Sequence, residues 1–149
     1  MNLTVKTPDE KDLPRLFDLY TQLIGKEGDY ASMLRVYGET RDDPHYTLFG
    51  VYSEGKLIAT ASVTRCFDLT GDARYYYNME NFVVDEKYRN MGVGSFLLEK
   101  IEKFAEENNA SYINFTSSSE RTEAHRFYVN NAYDIDAVKG FKKHFEEKQ

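Results

Sequence analysis

The sequence has no tryptophan and a single cysteine, Cys66. One cysteine excludes an internal disulfide and suits a reducing compartment, the cytoplasm. Cys66 sits in ASVTRCFDL, which reads as a strand, so a small buried apolar side chain is expected there rather than a nucleophile. No run approaches 18 apolar residues, which excludes a membrane-spanning helix. The opening MNLTVKTPDE has neither a basic start nor an apolar run, so no signal peptide is expected. Internal repeats, linkers and low-complexity segments are absent, and 149 residues suit one domain, 1–149. Positive charge is the scarcer sign: 19 Lys and Arg against 25 Asp and Glu leave a net charge of −6. That argues against a nucleic-acid partner, which needs a basic stripe. It is compatible with a cationic small substrate, but a surface charged for solubility is the preferred reading. The three histidines, His45, His125 and His144, are spaced too widely for a metal site, so no metal is expected.

Aromatic residues are abundant: 12 Tyr and 10 Phe. NLTVK reads as a short strand. TPDEKDLPRLFDLYTQLIG opens on Thr7 or Asp9 as cap, repeats apolar residues at helical spacing and stops at Gly25. GDYASMLRVYGETRDD reads as a shorter helix ending near Gly38, with Tyr30 and Tyr37 on one face. HYTLFGVYSEGKLIATASVTRCFDL gives two strands around a turn at Ser53-Glu54-Gly55, and ARYYYNMENFVVD a third long strand. Leu97, Leu98, Ile101, Phe104 and Ala105 mark an amphipathic helix. ASYINFTSSS is a strand and polar loop, RTEAHRFYVNNAY a helix with Asn131 as a left-handed cap, and YDIDAVKGFKKHFEE one or two final strands. The order predicts an α+β (α/β/α) fold: a mixed, mostly antiparallel central sheet of six to seven strands with helices on both faces.

The most informative stretch is VVDEKYRNMGVGSFLLEKIEKF. Arg89-Asn90-Met91-Gly92-Val93-Gly94 lies between a strand and a helix. The first N–H groups of a helix have no partner within it and lie at the positive end of its dipole. A pyrophosphate satisfies them, and glycine removes the Cβ that would hold it off. Arg89 would add charge or cap the turn. By itself the pair of glycines is equally a tight strand–helix turn.

ENFVVDEKYRNMGVGSFLLEKIEKFAEE resembles the cofactor motif of the GNAT N-acetyltransferase superfamily: Gln or Arg, two residues, Gly, one residue, Gly or Ala. Arg89, Gly92 and Gly94 fill its defined positions. EAHRFYVNNAY resembles the second family stretch through Ala124, Phe127, Tyr128 and Tyr133. The element order is similar too, so the resemblance covers nearly the whole chain.

The resemblance implies acetyl-CoA as co-substrate, with its pyrophosphate on the backbone of Arg89, Asn90, Met91, Gly92, Val93, Gly94 and Ser95. It implies a bulge at Phe82-Val83-Val84 that splays the fourth strand from the fifth and opens a slot for the pantetheine arm. An N–H there would polarise the thioester carbonyl. Ala124 and Phe127 would line the cofactor, and Tyr128 would be the general acid toward the leaving thiolate. Glu80, amid aromatic and apolar sequence neighbours, is the candidate base, and burial would raise its pKa. Alternation places Tyr76, Asn78, Glu80 and Phe82 on one side before any bulge. Tyr76 and Tyr30 are candidate substrate contacts, and packing is the alternative for Tyr30 and Tyr37. Where the family often has Asn, this chain has Arg121, which would reach a phosphate or cap the loop; Asn131 stands for the common glycine. The implied activity is transfer of acetyl to a primary amine of a small molecule, by a monomer or homodimer. The alternative is a non-catalytic acyl-CoA-binding or interaction module of the same fold. A dinucleotide-binding domain is disfavoured because strand–helix alternation is lacking.

Overall fold

The structure is a computed structural model that describes residues 1–147. It divides into two compact units, Met1–Phe115 and Thr116–Gln149.

The first unit holds strands β1 (Leu3–Lys6), β2 (Tyr46–Ser53), β3 (Lys56–Phe67), β4 (Tyr75–Val84) and β5 (Ala110–Asn114), and helices α1 (Leu13–Ile24), α2 (Tyr30–Thr40) and α3 (Val93–Glu107). The strands form one sheet in chain order; β1 to β4 are antiparallel, and β5 joins β4 in parallel. This arrangement follows from the connections. Glu54 and Gly55, both at positive φ, close the tight β2–β3 hairpin, while the β4–β5 link carries α3, as a parallel crossover requires.

Side-chain caps stand at the 3₁₀ turn before α1 and at the start of α2. Asp9 makes a reciprocal capping box with Asp12 over the 3₁₀ turn that leads into α1. Pro14 sits in the first turn of α1, and Gly25 ends it at φ 89°. Asp29 accepts from Ser32 N–H to start α2. This helix runs through Gly38 to Thr40, further than expected, because one glycine costs only about 1 kcal/mol in a helix.

Alternation along the strands makes two cores. Leu48, Tyr52, Leu57 and Val83 pack with Leu13, Leu16 and Leu19 of α1. Phe49 and Tyr77 face the other way and meet Phe104 of α3 at ring distances of 5.3 and 5.4 Å. Leu97, Leu98 and Ile101 of α3 are wholly buried. Each of these side chains contributes about 1.5–3 kcal/mol of burial.

The second unit contains α4 (Thr122–Asn130). The final strands expected from YDIDAVKGFKKHFEE are not formed among the described residues, so the sheet has five strands, not six or seven. Asp134 explains part of this. Its side chain accepts from Asp136 N–H and its carbonyl from Ala137 N–H, so the backbone is engaged in a local turn instead of a ladder. Asn131 is not left-handed (φ −102°); Ala132 is, at φ 68°, one residue later. Asn131 caps instead through its side chain, whose Nδ2 donates to Phe127 O over 2.8 Å.

Candidate active site

The site begins where β4 gives way to α3. Glu86–Tyr88 form one 3₁₀ turn, capped by the Asp85 carboxylate. Arg89 is extended, Asn90 is left-handed at φ 62° and Gly92 at φ 81°. The chain therefore enters α3 on two left-handed residues, of types that tolerate that region. Gly92 is the N-cap and offers no capping side chain. Phe96 N–H is the first intrahelical donor, to Gly92 O at 3.0 Å, so the amides of Val93, Gly94 and Ser95 precede the ladder. A Cβ built on Gly92 would meet nothing within 4 Å. The residue is thus demanded by its φ, and open space lies beside it. Arg89 caps the turn: its Nε donates to Val84 O over 3.1 Å.

Beside this helix mouth the sheet forks. The β4–β5 ladder runs from Tyr75↔Ala110 to Asn78↔Asn114, yet β4 continues to Val84. Its last residues are laddered only to β3. There the register slips: Ser62 pairs with Glu80 and Thr60 with Val83, so Asn81 and Phe82 together oppose Ala61. Asn81 has φ 53°. This is a β-bulge, one residue earlier than Phe82-Val83-Val84. It also reverses the facing of the strand. Tyr77 meets α3, whereas Val83, also odd-numbered, belongs to the α1 core. Glu80 and Phe82 are therefore not on one side, as alternation alone would have them.

Glu80 is exposed, so the burial expected for it is not found. Asn78 Nδ2 donates to its Oε1 over 2.8 Å, and Ser62 Oγ donates to its carbonyl at 3.4 Å. Tyr46 of β2 stands close to it. Burial raises the Tyr46 pKa most, a hydrogen bond with Ser62 opposes this, and the Glu80 charge adds to it. Tyr76, on the same face of β4, stacks on Tyr112 of β5 with centroids 4.8 Å apart and planes at 14°.

A residue model of the acetyltransferase (GNAT) family matches residues 13–132. The chain belongs to the GNAT acetyltransferase family. An aminoalkylphosphonate N-acetyltransferase of Salmonella typhimurium is 26% identical over 125 residues, covering 83% of this chain and 79% of the relative. Among solved structures, a transcriptional regulator from Bacillus halodurans superposes with a TM-score of 0.89 at 21% identity, over 97% of this chain and 100% of that one. A glucosamine-6-phosphate N-acetyltransferase from Arabidopsis thaliana gives 0.82 at 18%, over 98% and 100%. At these identities the two structures speak to the fold alone.

The second GNAT stretch lies on α4. Arg121 is the N-cap residue and makes no side-chain capping bond; Ala124 is half-buried on the first turns. Phe127 and Tyr128 meet edge to face at 5.2 Å, and Tyr133 lies 6.1 Å from Tyr128. Burial pushes the Tyr128 phenol up to about 12, with the Arg121 charge pulling the other way. The phenol is thus a full proton reservoir at neutral pH. His125 holds Ser118 O at 3.0 Å through Nε2, a local structural contact.

Tyr30 and Tyr37 share a face as expected. They line a cleft of about 330 Å³ with Glu10, Leu13, Leu34, Gly38 and Arg41. Its lining includes no β4 residue, so Tyr30 and Tyr76 are in different places. Phe17 packs edge-on against Tyr30 at 5.2 Å, and Tyr37 OH donates to Pro8 O.

One feature beside the helix mouth had no signal in the sequence pattern. Asp85, 2% exposed, ends β4 in a polar knot. It pairs with Arg15 of α1, accepts from Lys87 N–H at 3.1 Å, and receives Gln22 Nε2 at 3.4 Å. Arg15 Nε also donates to Leu57 O, and Gln22 Oε1 accepts from Glu86 N–H. Burial alone would raise the Asp85 pKa, but the Lys87 N–H, Arg15 and Gln22 together hold the carboxyl below its usual value. The knot pins α1 to the strand end from which the glycine turn departs. Among the described residues, no cluster of three or more His, Cys, Asp or Glu suits a metal ion, and no helix is long and apolar enough to cross a membrane.

Proposed function

We propose that the protein is an acetyl-CoA-dependent N-acetyltransferase that moves acetyl directly to a primary amine of a small molecule. The observation that carries this is the coincidence of two openings. The uncapped amides at the start of α3 adjoin the length of β4 that β5 has left. The residues present fit the co-substrate. Amides from Arg89 to Ser95, with the open space at Gly92, suit a pyrophosphate. The β4 edge at Phe82, Val83 and Val84 suits the amides of a pantetheine arm and the thioester carbonyl. When bound, acetyl-CoA supplies the acetyl group as a thioester.

The chain's own residues then handle protons. An alkyl ammonium has a pKa of about 10, so the acceptor must lose a proton before it attacks. Glu80, at the fork, takes it directly or through water. Tyr128 returns a proton to the departing sulfur; Arg121, Ala124 and Phe127 serve the cofactor. Tyr76, on the face of β4 that carries Glu80, is the proposed acceptor contact; Tyr30, in a separate cleft, is left to packing against Phe17. The Salmonella relative makes aminoalkylphosphonates a first choice to assay; cationic amines, with which the net charge of −6 is compatible, are a separate arm of the panel. A cytoplasmic setting and a monomer or homodimer complete the reading.

Calorimetry with CoA and thiol release with an amine panel test it. CoA binding with amine-dependent thiol release is expected, and Tyr128→Phe lowers kcat by about 100-fold or more. Absence of CoA binding would overturn the proposal. The exposure of Glu80 favours one second reading, a non-catalytic acyl-CoA-binding module. CoA binding without turnover on any amine would select it.

A further inference from the structure

We infer that Asn78 is a positioning residue that aims the Glu80 carboxylate at the acceptor amine; the inference rests on Glu80 being the base. Three observations converge on Asn78. It is the last β4 residue laddered to β5, through Asn114, so it marks the point where the fork opens. It lies two residues before Glu80 on the same face, and its Nδ2 reaches Glu80 Oε1 at 2.8 Å. Three residues further on, the left-handed Asn81 bends the strand away.

An exposed glutamate has several rotatable bonds and would otherwise sample many positions. A base must lie within hydrogen-bond reach of the proton it takes. The amide N–H of Asn78 occupies one oxygen and leaves the other for the amine. A neutral amide donor does this without competing for the proton.

The surrounding groups leave that task to Asn78. On β2 stands Tyr46 and behind it, on α1, Tyr20; burial raises the pKa of both, so both are neutral phenols at working pH. On β3 the facing residues are Ser62 and Thr64, which do not titrate, with Cys66 further along opposite Tyr76. On β5, Asn114 stands beside Asn78 and Tyr112 is stacked on Tyr76. None of these brings a cation to Glu80. An amide, not a salt bridge, holds the carboxylate.

The test is kcat/KM against pH for the full-length protein with acetyl-CoA and an accepted amine, comparing Asn78→Ala, Asn78→Asp and Glu80→Gln. Asn78→Ala is expected to lower kcat about tenfold at neutral pH and to leave KM for acetyl-CoA unchanged. Asn78→Asp replaces the donor by a like charge and moves the limb by about one unit or more. Glu80→Gln abolishes the limb. If Glu80→Gln abolishes it while both Asn78 variants leave limb and kcat as in the wild type, Asn78 has no such role and the base assignment survives. If Glu80→Gln keeps both limb and rate, the base assignment fails, and this inference with it. Carboxyl ¹³C NMR of Glu80, assigned through Glu80→Gln, reads the same displacement without turnover. An unmoved titration in Asn78→Asp overturns the inference whatever the kinetics.

Discussion

Replacing Asp85 by asparagine should destabilise the protein through Arg15. The asparagine fits the same space, since it differs from aspartate by one atom type. What changes is the charge. Asp85 is 2% exposed, and the Arg15 side chain is 22% exposed. In the variant that guanidinium keeps its bond to Leu57 O but loses its anion. Breaking one half of a buried pair costs about 3–5 kcal/mol, and partial solvation of Arg15 favours the lower end, about 3 kcal/mol. For a chain of 149 residues that corresponds to a fall in Tm of about 6–12 °C. Urea unfolding, with the slope unchanged and the midpoint shifted, measures it. The pH dependence has a definite sign. The folded pKa of Asp85 is depressed, so its contribution is full above the ordinary carboxylate value of about 3.9. It is lost as pH falls through the lower folded value. Wild type and Asp85→Asn should therefore differ at pH 7 and converge in strong acid. Replacing both partners with apolar residues should recover most of the loss. A drop below about 1 kcal/mol at pH 7, or a difference that does not shrink in acid, would refute the reasoning.

Three further outcomes follow from other parts of the structure. Gly92→Val should cost about 1–2 kcal/mol in urea unfolding, from a left-handed φ of 81°. In calorimetry it should weaken CoA binding by more than tenfold, because the added atoms enter the open space by the α3 amides. Tyr52→Phe removes the 2.7 Å bond from its hydroxyl to Asp12 Oδ2 and should lower stability by about 1.5–3 kcal/mol, read as a lower urea midpoint. Leu98→Ala, at a wholly buried site on α3, should cost about 2–5 kcal/mol by the same measurement.

The elements that the sequence disclosed are those with local causes. Apolar spacing in LPRLFDLYTQLI and VGSFLLEKIEKFAEE, the Asp9 cap, and Glu54-Gly55 each act over a few residues and stand where expected. The glycine turn was equally legible, because Asn90 and Gly92 announce their φ values in their side chains. The Asp85–Arg15 pair was not, since its partners are separated by 70 residues and no pattern in either segment requires the other. The bulge was shifted for a similar reason: Asn81 reads as a polar interruption of YYYNMENFVV until its register against Ala61 is known. The end of the chain misled because alternating apolar residues promise a strand only where an edge accepts them. Phe141 is 95% exposed and Phe145 85%.

The extra residue in β4 acts like a change of reading frame. Upstream of Asn81, even positions such as Tyr76 and Glu80 look toward the proposed acceptor; downstream, Val83 on an odd position joins the α1 core. Selection for a new amine can therefore rework the even positions 76 to 80 without disturbing the segment that would greet the thioester. Deleting Asn81 would leave Phe82 alone opposite Ala61 and restore a regular ladder, with Val83 still opposite Thr60 and still in the α1 core.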